Sequence, residues 1–119
     1  MSQYRKGYLF EKKTHLKIGD IISNHKDLKF YGIESRGSKG AADIVFGIYN
    51  KRHKIRTWVG IQCKRGYVSN PEKSREIKSA MKNYGMIMFY STPCKKKKTE
   101  IEFYPDFEKW LDNWVKETK

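Results

Sequence analysis

The sequence predicts a single α+β domain, residues 1–119, in which a central mixed sheet of about five strands is flanked by helices. Three segments carry apolar residues at helical spacing, and five short segments between them are rich in β-branched and aromatic residues. Their order along the chain is α-β-β-β-α-β-β-α. The 119 residues contain no internal repeat and no linker-like segment, which favours one domain with a small core.

The first helix is predicted to run from Tyr4 to Asn24. Its apolar residues fall near one stripe, whereas lysines and arginines occupy the other sides. The residues of this stripe are Phe10, Ile18, Ile21, Ile22 and His25, flanked by Leu9 and Leu16. Glu11 is the one acid in the cationic first half of the helix. Considered alone, it is typical of a surface carboxylate paired with neighbouring lysines.

Three strands are predicted next, at Leu28–Glu34, Ala41–Tyr49 and Thr57–Lys64. The middle one is mostly apolar and β-branched, which is typical of a central strand covered on both faces. A glycine-rich basic loop, Ser35–Gly40, precedes this strand, and a basic hairpin tip, Asn50–Arg56, follows it.

The second helix is predicted to open at Asn70-Pro71-Glu72, with proline at the first helical position and a carboxylate in the first turn, and to end at Gly85. Its predicted buried stripe is Ile77, Ala80, Met81 and Tyr84, and its predicted exposed basic flank is Lys73, Lys78 and Lys82. Strands are predicted at Met86–Thr92 and, at the sheet edge, at Thr99–Tyr104.

The last helix is predicted to start at Pro105-Asp106. Its apolar face comprises Phe107, Trp110, Leu111, Trp114 and Val115. Two tryptophans on a terminal helix fit core positions or, because tryptophan is enriched at protein interfaces, a dimer contact.

The charge of the chain predicts an anionic partner. Lysine and arginine number 26 against 13 acidic residues, a net charge of +13. Solubility alone needs only about 2–8 charges on a small domain, so nucleic acid is the first expectation and a membrane surface the second. No apolar run approaches the length of a membrane span, and the N-terminus has no signal-peptide pattern. Cys63 and Cys94 lack metal-ligand spacing, which favours free thiols in an intracellular, reducing compartment.

Asp43, Gln62 and Lys64 form the pattern that points most directly to chemistry. A carboxylate at the start of so apolar a strand is costly unless it is paired or binds a metal. Alternation puts Gln62 and Lys64 on one face of the neighbouring strand. Mg²⁺ prefers hard oxygen ligands, which Asp43 and, from the first helix, Glu11 can supply. A lysine beside them can orient the attacking water or stabilise charge on the phosphate, so the pattern favours metal-dependent phosphodiester hydrolysis.

The glycine-rich loop offers phosphate contacts through Ser38, Arg36 and Lys39, although it lacks the P-loop pattern. The alternative is a mobile turn between two strands.

With these residues, the chain resembles the PD-(D/E)xK nuclease superfamily. Asp43 matches the first acid of that motif, and Gln62-Cys63-Lys64 matches (D/E)-x-K with glutamine in the acidic position. The N-terminal Y-R-K-G-Y-L-F-E is similar to that of archaeal Holliday-junction resolvases, which place a metal-binding glutamate six positions after the arginine, as Glu11 follows Arg5. The G-S-K at residues 37–39 resembles the loop of these enzymes as well.

The resemblance implies a restriction-endonuclease-like fold and a homodimeric endonuclease of DNA recombination and repair that nicks four-way junctions in the cytoplasm or nucleoid. It implies the catalytic residues Glu11, Asp43, Gln62, Lys64 and Ser38. The implied ligands of Mg²⁺, with Mn²⁺ as a substitute, are Glu11, Asp43, Gln62 and the backbone carbonyl of Cys63. The expected DNA contacts are Arg5, Lys6, Arg36, Lys39, Lys51, Arg52, Lys54, Arg56 and Arg65.

The chain departs from the resolvase pattern in two places. Gln62 replaces an acid, so the site has less negative charge, and we expect weaker Mg²⁺ binding and a preference for Mn²⁺. Asp43 and Gln62 are 19 positions apart, which leaves room for an enlarged hairpin at residues 50–56. The I-Q-C-K-R form instead looks like Mrr-type restriction endonucleases of the same superfamily.

Two alternatives therefore remain open. One is a Mrr-like or virus-encoded nuclease that acts on duplex or single-stranded DNA. The other is a catalytically weak DNA-binding module on the nuclease fold, for which Gln62 is the motivating residue.

Overall fold

The computed structural model describes residues 3–31, 42–97 and 99–117, and for residues 3–8, 31 and 117 it describes the backbone alone. This part of the chain contains three helices and five strands in the predicted α-β-β-β-α-β-β-α order. The helices are α1 (Gln3–Ser23), α2 (Asn70–Tyr84) and α3 (Phe107–Glu117). The strands are β1 (Leu28–Tyr31), β2 (Ile44–Asn50), β3 (Ile55–Cys63), β4 (Ile87–Pro93) and β5 (Ile101–Tyr104). The predicted α+β class and mixed sheet are confirmed.

The five strands form one sheet in chain order, β1-β2-β3-β4-β5. The β1–β2, β2–β3 and β4–β5 pairs are antiparallel. β3 and β4 are parallel, because the chain crosses over through α2 between them. β3 and β4 are therefore central strands, and the carboxyl end of β3 lies between the beginning of β2 and the carboxyl half of β4.

The main hydrophobic core lies on the sheet face covered by α1 and α3. Its buried members are Ile18, Ile21, Ile22, Leu28, Ile44, Phe46, Ile48, Val59, Ile61, Phe89, Phe107 and Leu111. The ring of Phe107 packs edge-on against Phe46 and Phe89, with ring centroids 6.2 Å and 5.2 Å away. Trp110 and Trp114 of α3 pack against this core, so the core positions predicted for them are confirmed.

The opposite sheet face is covered by α2. Ala80 of the helix packs there with Met88 and Tyr90 of β4, and the partly buried Ile77 packs against this cluster. Residues of β4 therefore alternate between the two faces, because Phe89 belongs to the first core and its neighbours to the second.

The two ends of α2 are both capped, at the start by a residue that was not predicted. The Ser69 hydroxyl accepts a hydrogen bond from the Glu72 backbone N–H at 3.3 Å, and Pro71 is the second helical residue rather than the predicted first. Gly85 ends the helix with φ 63°, and its N–H donates to the Met81 carbonyl at 2.9 Å. Glycine adopts this left-handed conformation without the steric cost of a Cβ.

The stripe predicted for α2 is wrong at three positions. Met81 and Tyr84 are 47% and 64% exposed, whereas Lys73, predicted on the exposed flank, is only 8% exposed. The stripe that faces the sheet is Lys73, Ile77 and Ala80, at i, i+4 and i+7. A lysine can occupy it because its ammonium lies over the ring of Tyr104, 5.2 Å from the centroid.

The hairpin between β2 and β3 is also tighter than predicted. Residues 51–54 form the turn, and Asn50 and Ile55 are already paired. The Asn50 side-chain oxygen accepts from the backbone N–H groups of Arg52 and His53 at 3.0 and 3.2 Å, which holds the turn. The 19 positions between Asp43 and Gln62 are therefore filled by long strands rather than by an enlarged loop.

Candidate active site

Asp43 occupies the bend where the chain enters β2. Its backbone N–H donates to the Ile61 carbonyl at 2.9 Å, and its carboxylate oxygen Oδ2 accepts from the Cys63 backbone N–H at 2.9 Å. The regular pairing of β2 with β3 is described from Ile44 onwards. The Asp43 side chain therefore supplies the acceptor for the carboxyl end of β3, and the carboxylate is held against that strand.

The Cys63 peptide faces Asp43. In an extended strand the N–H and C=O of one residue point toward the same neighbouring strand. The Cys63 N–H points to Asp43, whereas the next N–H, that of Lys64, donates to the Ser91 carbonyl on β4 at 3.0 Å. The carbonyl oxygen of Cys63 is thus directed to the same side of β3 as the Asp43 carboxylate, as the predicted set of oxygen ligands requires.

Glu11 reaches this region from α1, and a buried contact one turn further along the helix fixes its approach. The hydroxyl of Thr14 lies 2.8 Å from the hydroxyl of Ser91 on β4 and also donates to the Phe10 carbonyl at 2.9 Å. Thr14 and Ser91 are both fully buried. Because residues three apart share a helix face, Glu11 lies on the side of α1 that faces the sheet.

The Cys63 thiol is affected by both carboxylates. The pKa of Cys63 is raised from its ordinary value of 9.0 to about 12, mainly by burial and in smaller part by the negative charges of Asp43 and Glu11, against a lowering by the Thr14 hydroxyl. Both charges act on one sulfur atom, so α1, the start of β2 and the end of β3 bring Glu11, Asp43 and Cys63 together.

Gln62 and Lys64 lie on the other face of β3 from the Cys63 thiol. Val59, Ile61 and Cys63 pack toward the core under α1 and α3, so alternation directs Gln62 away from it. Gln62 is half-buried and is the in-register neighbour of Tyr90 on β4. Lys64 is exposed immediately after the strand ends. Gln62 therefore lies on the α2 side of the sheet, whereas Glu11 approaches Cys63 from the α1 side, so the structure does not place these two predicted ligands on one face.

The predicted DNA-contacting residues fall into separate regions. Arg65 is exposed directly after Lys64. The hairpin cations Lys51, Arg52, Lys54 and Arg56 lie at the far end of the β2–β3 pair. Asn50 is six positions after Ile44 along β2, roughly 20 Å at about 3.3 Å per residue. Arg5 and Lys6 are on α1, where only the backbone is described, and Arg36, Ser38 and Lys39 lie outside the described residues.

Three residues near the site are not indicated by the motif pattern. Thr14 continues the spacing of Phe10 and Ile18 at four-residue steps, so its burial could have been inferred from the helical period. Ser91 and Lys73 carry no such signal, because one is a small polar residue in a strand and the other resembles its exposed lysine neighbours.

The donors available to a cation in this region are oxygen atoms. Among the residues that the structure describes, no group of three or more His, Cys, Asp and Glu side chains is arranged to hold a metal ion. The negative charges of Glu11 and Asp43 both raise the pKa of the Cys63 thiol. The Cys63 carbonyl is directed to the side of β3 on which the Asp43 carboxylate lies. Carboxylate and carbonyl oxygens suit Mg²⁺ or Mn²⁺ rather than a soft metal, so the donor chemistry fits the ions that the sequence predicts.

No protein-family model, curated protein or solved structure compared with this chain matches it. Within the described helices, none combines the length and hydropathy needed to cross a membrane.

Proposed function

We propose that this chain is a divalent-metal-dependent endodeoxyribonuclease of the PD-(D/E)xK type, with a restriction-endonuclease-like fold, that cuts branched DNA. Its substrate is a four-way junction, and a homodimer makes the paired nicks. A two-fold dimer presents two equivalent sites, which matches the need to cut two opposing strands of a junction.

One observation carries the proposal. The Asp43 carboxylate is bonded to the Cys63 backbone N–H at 2.9 Å, and the charge of Glu11 acts on the thiol of the same residue. Two acids from elements far apart in the sequence thus both act on Cys63, the last residue of the strand from whose end Lys64 follows.

Each residue then has a role in hydrolysis. Asp43 and the Cys63 carbonyl would hold Mg²⁺ or Mn²⁺ at the end of β3, with Glu11 contributing from the α1 side of the strand and the Gln62 amide oxygen from the α2 side. The ion would supply neutralisation of the phosphate and a more acidic water. The exposed Lys64 ammonium orients the attacking water or stabilises negative charge on the phosphoryl oxygens. Asp43 has a second role, because its bond to Cys63 sets the end of β3 from which Gln62 and Lys64 are presented.

The distribution of cations supports an extended DNA substrate. The net charge of +13 favours binding to the phosphate backbone whatever the sequence. The hairpin cations at residues 51–56 are roughly 20 Å from Asp43 along the strands, so they contact DNA about six base pairs from the cut, at about 3.4 Å per pair. They position the substrate and take no part in the chemistry.

The dimer surface is assigned to exposed apolar side chains on the α2 side of the sheet. Trp58, Met81 and Tyr84 are 45%, 47% and 64% exposed. Trp110 and Trp114 of α3 pack against the core, so the dimer contact does not require them.

A cleavage assay tests the proposal. Purified chain is incubated with a labelled four-way junction and a matched duplex, with Mg²⁺, Mn²⁺ or EDTA. Metal-dependent paired nicks in the junction are expected, and they should be lost in Asp43→Asn and Lys64→Ala while junction binding persists. Lys82→Ala, which removes an exposed lysine of α2, is the matched control and should cut normally. Cutting by both site variants at the wild-type rate would refute the proposal.

Gln62 favours a second candidate, a DNA-binding module on the same fold that does not cut, because a neutral amide in place of an acid lowers the charge available to bind a metal. This candidate predicts junction or duplex binding that weakens steeply with salt and no cutting with either metal. Preferred cutting of the duplex or of single strands would instead indicate a Mrr-like or virus-encoded nuclease.

A further inference from the structure

A cleft of about 930 Å³ opens beside the candidate active site, between the loop that follows β3, the start of α2 and the β4–β5 end of the sheet. Its walls include Phe10, Arg65, Tyr67, Lys73, Lys95 and Tyr104. The volume lies within the range of clefts that bind small organic molecules. Among the described residues that line the cleft, three are cations and one, Glu102, is an acid, so its charge favours an anion.

Lys73 is the residue of the cleft that most needs a ligand. Its side chain is 92% buried, since 8% of it is exposed, and its ammonium lies 5.2 Å from the centroid of the Tyr104 ring, which also lines the cleft. Among the residues the structure describes, no carboxylate forms an ion pair with it. A mostly buried lysine with no carboxylate beside it leaves its positive charge poorly offset, and an anion in the cleft would offset it.

The beginning of α2 does not provide the anion site by itself. The Glu72 N–H is already bonded to the Ser69 hydroxyl, and Pro71 has no N–H to donate. The anchor for an anion is therefore the Lys73 side chain, with Arg65 and Lys95 at the rim.

The aromatic residues of the cleft suit a planar group. The Tyr104 hydroxyl is 3.0 Å from the Ser74 hydroxyl, which holds its ring at the wall. Tyr67 lies at the mouth on the loop after β3 and is 85% exposed, so its ring is available for stacking. Aromatic rings beside cations are the combination that binds unpaired nucleotides, with bases on the rings and phosphates on the cations.

The cleft is close to the site of the proposed chemistry. Gln62, Tyr90 and Tyr104 are in-register neighbours on β3, β4 and β5, so two strand spacings, roughly 10 Å, separate Gln62 from Tyr104. Arg65, which follows Lys64, lines the cleft directly. At about 3.4 Å of rise per nucleotide, a DNA strand on Lys64 reaches the cleft within about three nucleotides.

We propose that this cleft receives an unpaired nucleotide of the substrate, extruded from the strand within about three nucleotides of the phosphate that is cut. Its phosphate binds Lys73, and its base packs between Tyr104 and Tyr67. This inference rests on the proposed nuclease function for its substrate class, and it explains a preference for branched DNA, because bases at a branch point are already unpaired and cost less to extrude.

Binding of mononucleotides tests the cleft without any cutting. The affinities of thymidine 5′-monophosphate, thymidine and inorganic phosphate are measured in EDTA by NMR titration of the wild-type chain and its variants. Lys73→Met should weaken the monophosphate at least tenfold and leave thymidine unchanged. Lys78→Met, an exposed lysine of the same helix, is the control and should match the wild type. Wild-type affinity for the monophosphate in Lys73→Met would overturn the proposal.

Tyr67→Ser keeps the proposal testable if Lys73→Met does not fold, because a side chain that is 85% exposed contributes little to the core. This variant should weaken the monophosphate and thymidine alike, and leave inorganic phosphate unchanged. Equal binding of all three probes by Tyr67→Ser and wild type would exclude base stacking at this cleft.

The cleft and the nuclease function can fail separately. Lys73-dependent binding of the monophosphate by a chain that cuts no DNA would retain the cleft and reject the nuclease. The opposite outcome is that the wild type cuts junctions with metal, binds no monophosphate, and is matched in cutting rate by Lys73→Met and Tyr67→Ser. That outcome would retain the nuclease function and reject the cleft.

Discussion

The hydroxyl of Thr14 on α1 lies 2.8 Å from the hydroxyl of Ser91 on β4, and solvent reaches neither side chain. The two residues are 77 positions apart in the sequence. Glu11 is one helical turn before Thr14, and the Ser91 carbonyl accepts the Lys64 N–H. The contact between the Thr14 and Ser91 hydroxyls therefore holds the first helix against the strand end that carries the candidate site.

Replacing Thr14 by valine should destabilise the fold by about 1–3 kcal/mol, because the Ser91 hydroxyl then stays buried without that partner. The midpoint of urea unfolding measures the loss. In the proposed nuclease, the variant should also need more Mg²⁺ for half-maximal cutting, since Glu11 is less firmly positioned.

The double variant Thr14→Val/Ser91→Ala is the control for this pair. Removing both hydroxyls leaves no unpaired polar group, so its stability should be closer to that of the wild type than the sum of the two single losses implies. Strictly additive losses would show that the two hydroxyls do not interact in solution.

The Cys63 thiol should resist alkylation in the folded chain. Burial raises its pKa to about 12, so the reactive thiolate is scarce in mildly alkaline solution, whereas in the unfolded chain the ordinary pKa of 9.0 applies. With Cys94→Ser to leave one thiol, iodoacetamide labelling at pH 8.5 in EDTA, followed by mass spectrometry, should be at least tenfold slower in the folded chain than in urea.

The raised pKa of Cys63 also makes the stability of the fold depend on pH. The folded pKa lies above the unfolded one, so the stabilisation from the neutral thiol is complete below about pH 9 and is lost as the pH rises toward 12.

Glu11→Gln removes a negative charge that raises the pKa of Cys63, so iodoacetamide labelling of the folded variant should be faster than labelling of the folded wild type. An unchanged rate in Glu11→Gln would contradict the placement of Glu11 beside Cys63.

Gln62→Glu should restore the charge that the proposed metal site lacks. A third carboxylate strengthens the binding of a hard divalent cation, and we expect the Mg²⁺ concentration for half-maximal junction cutting to fall about tenfold, with a smaller advantage of Mn²⁺ over Mg²⁺. Gln62→Asn, which is neutral and shorter, is the matched control and should not improve Mg²⁺ use. The same metal requirement in wild type and Gln62→Glu would show that residue 62 is not a ligand.

The element order could be predicted because it depends on local patterns. The four-residue spacing around Ile18, the apolar run after Asp43 and the helix ends at Pro71 and Gly85 each act over a few residues, and the folded chain keeps them. The pairing of Asp43 with the end of β3 also follows, since two adjacent strands need only a short connection to place one beside the other.

The cleft could not be predicted in this way. Nothing in the local sequence distinguishes Lys73 as a buried residue from the exposed lysines of α2, and only the packing of the helix on the sheet puts it over Tyr104. Met81 and Tyr84 fit an apolar stripe, but the helix faces the sheet with Lys73, Ile77 and Ala80 and leaves Met81 and Tyr84 exposed. Such choices depend on contacts between distant elements, which override local pattern.

Gly60 is the position where a single methyl group should disturb both the fold and the candidate site. A Cβ there would lie 2.6 Å and 2.8 Å from Cε and Sδ of Met86 and 3.0 Å from Cβ of Ala42, the neighbour of Asp43. Gly60→Ala should therefore destabilise the chain by about 1–3 kcal/mol, although alanine is otherwise favoured over glycine within a strand. Gly19→Ala is the control, since no heavy atom lies within 4 Å of its added Cβ and the change should stabilise α1 by about 1 kcal/mol.

A second experiment shows whether contact with Met86 or with Ala42 causes the loss of stability in Gly60→Ala. The Met86 side chain is flexible and can move aside, whereas a shift of Ala42 moves the Asp43 backbone and with it the bond to Cys63. In a double-mutant cycle with Met86→Ala, measured by urea unfolding, the two changes should be less destabilising together than their sum. If the double variant recovers stability but junction cutting stays low, the remaining loss lies at Ala42 and Asp43. Full stability of Gly60→Ala alone would contradict the close packing of this glycine.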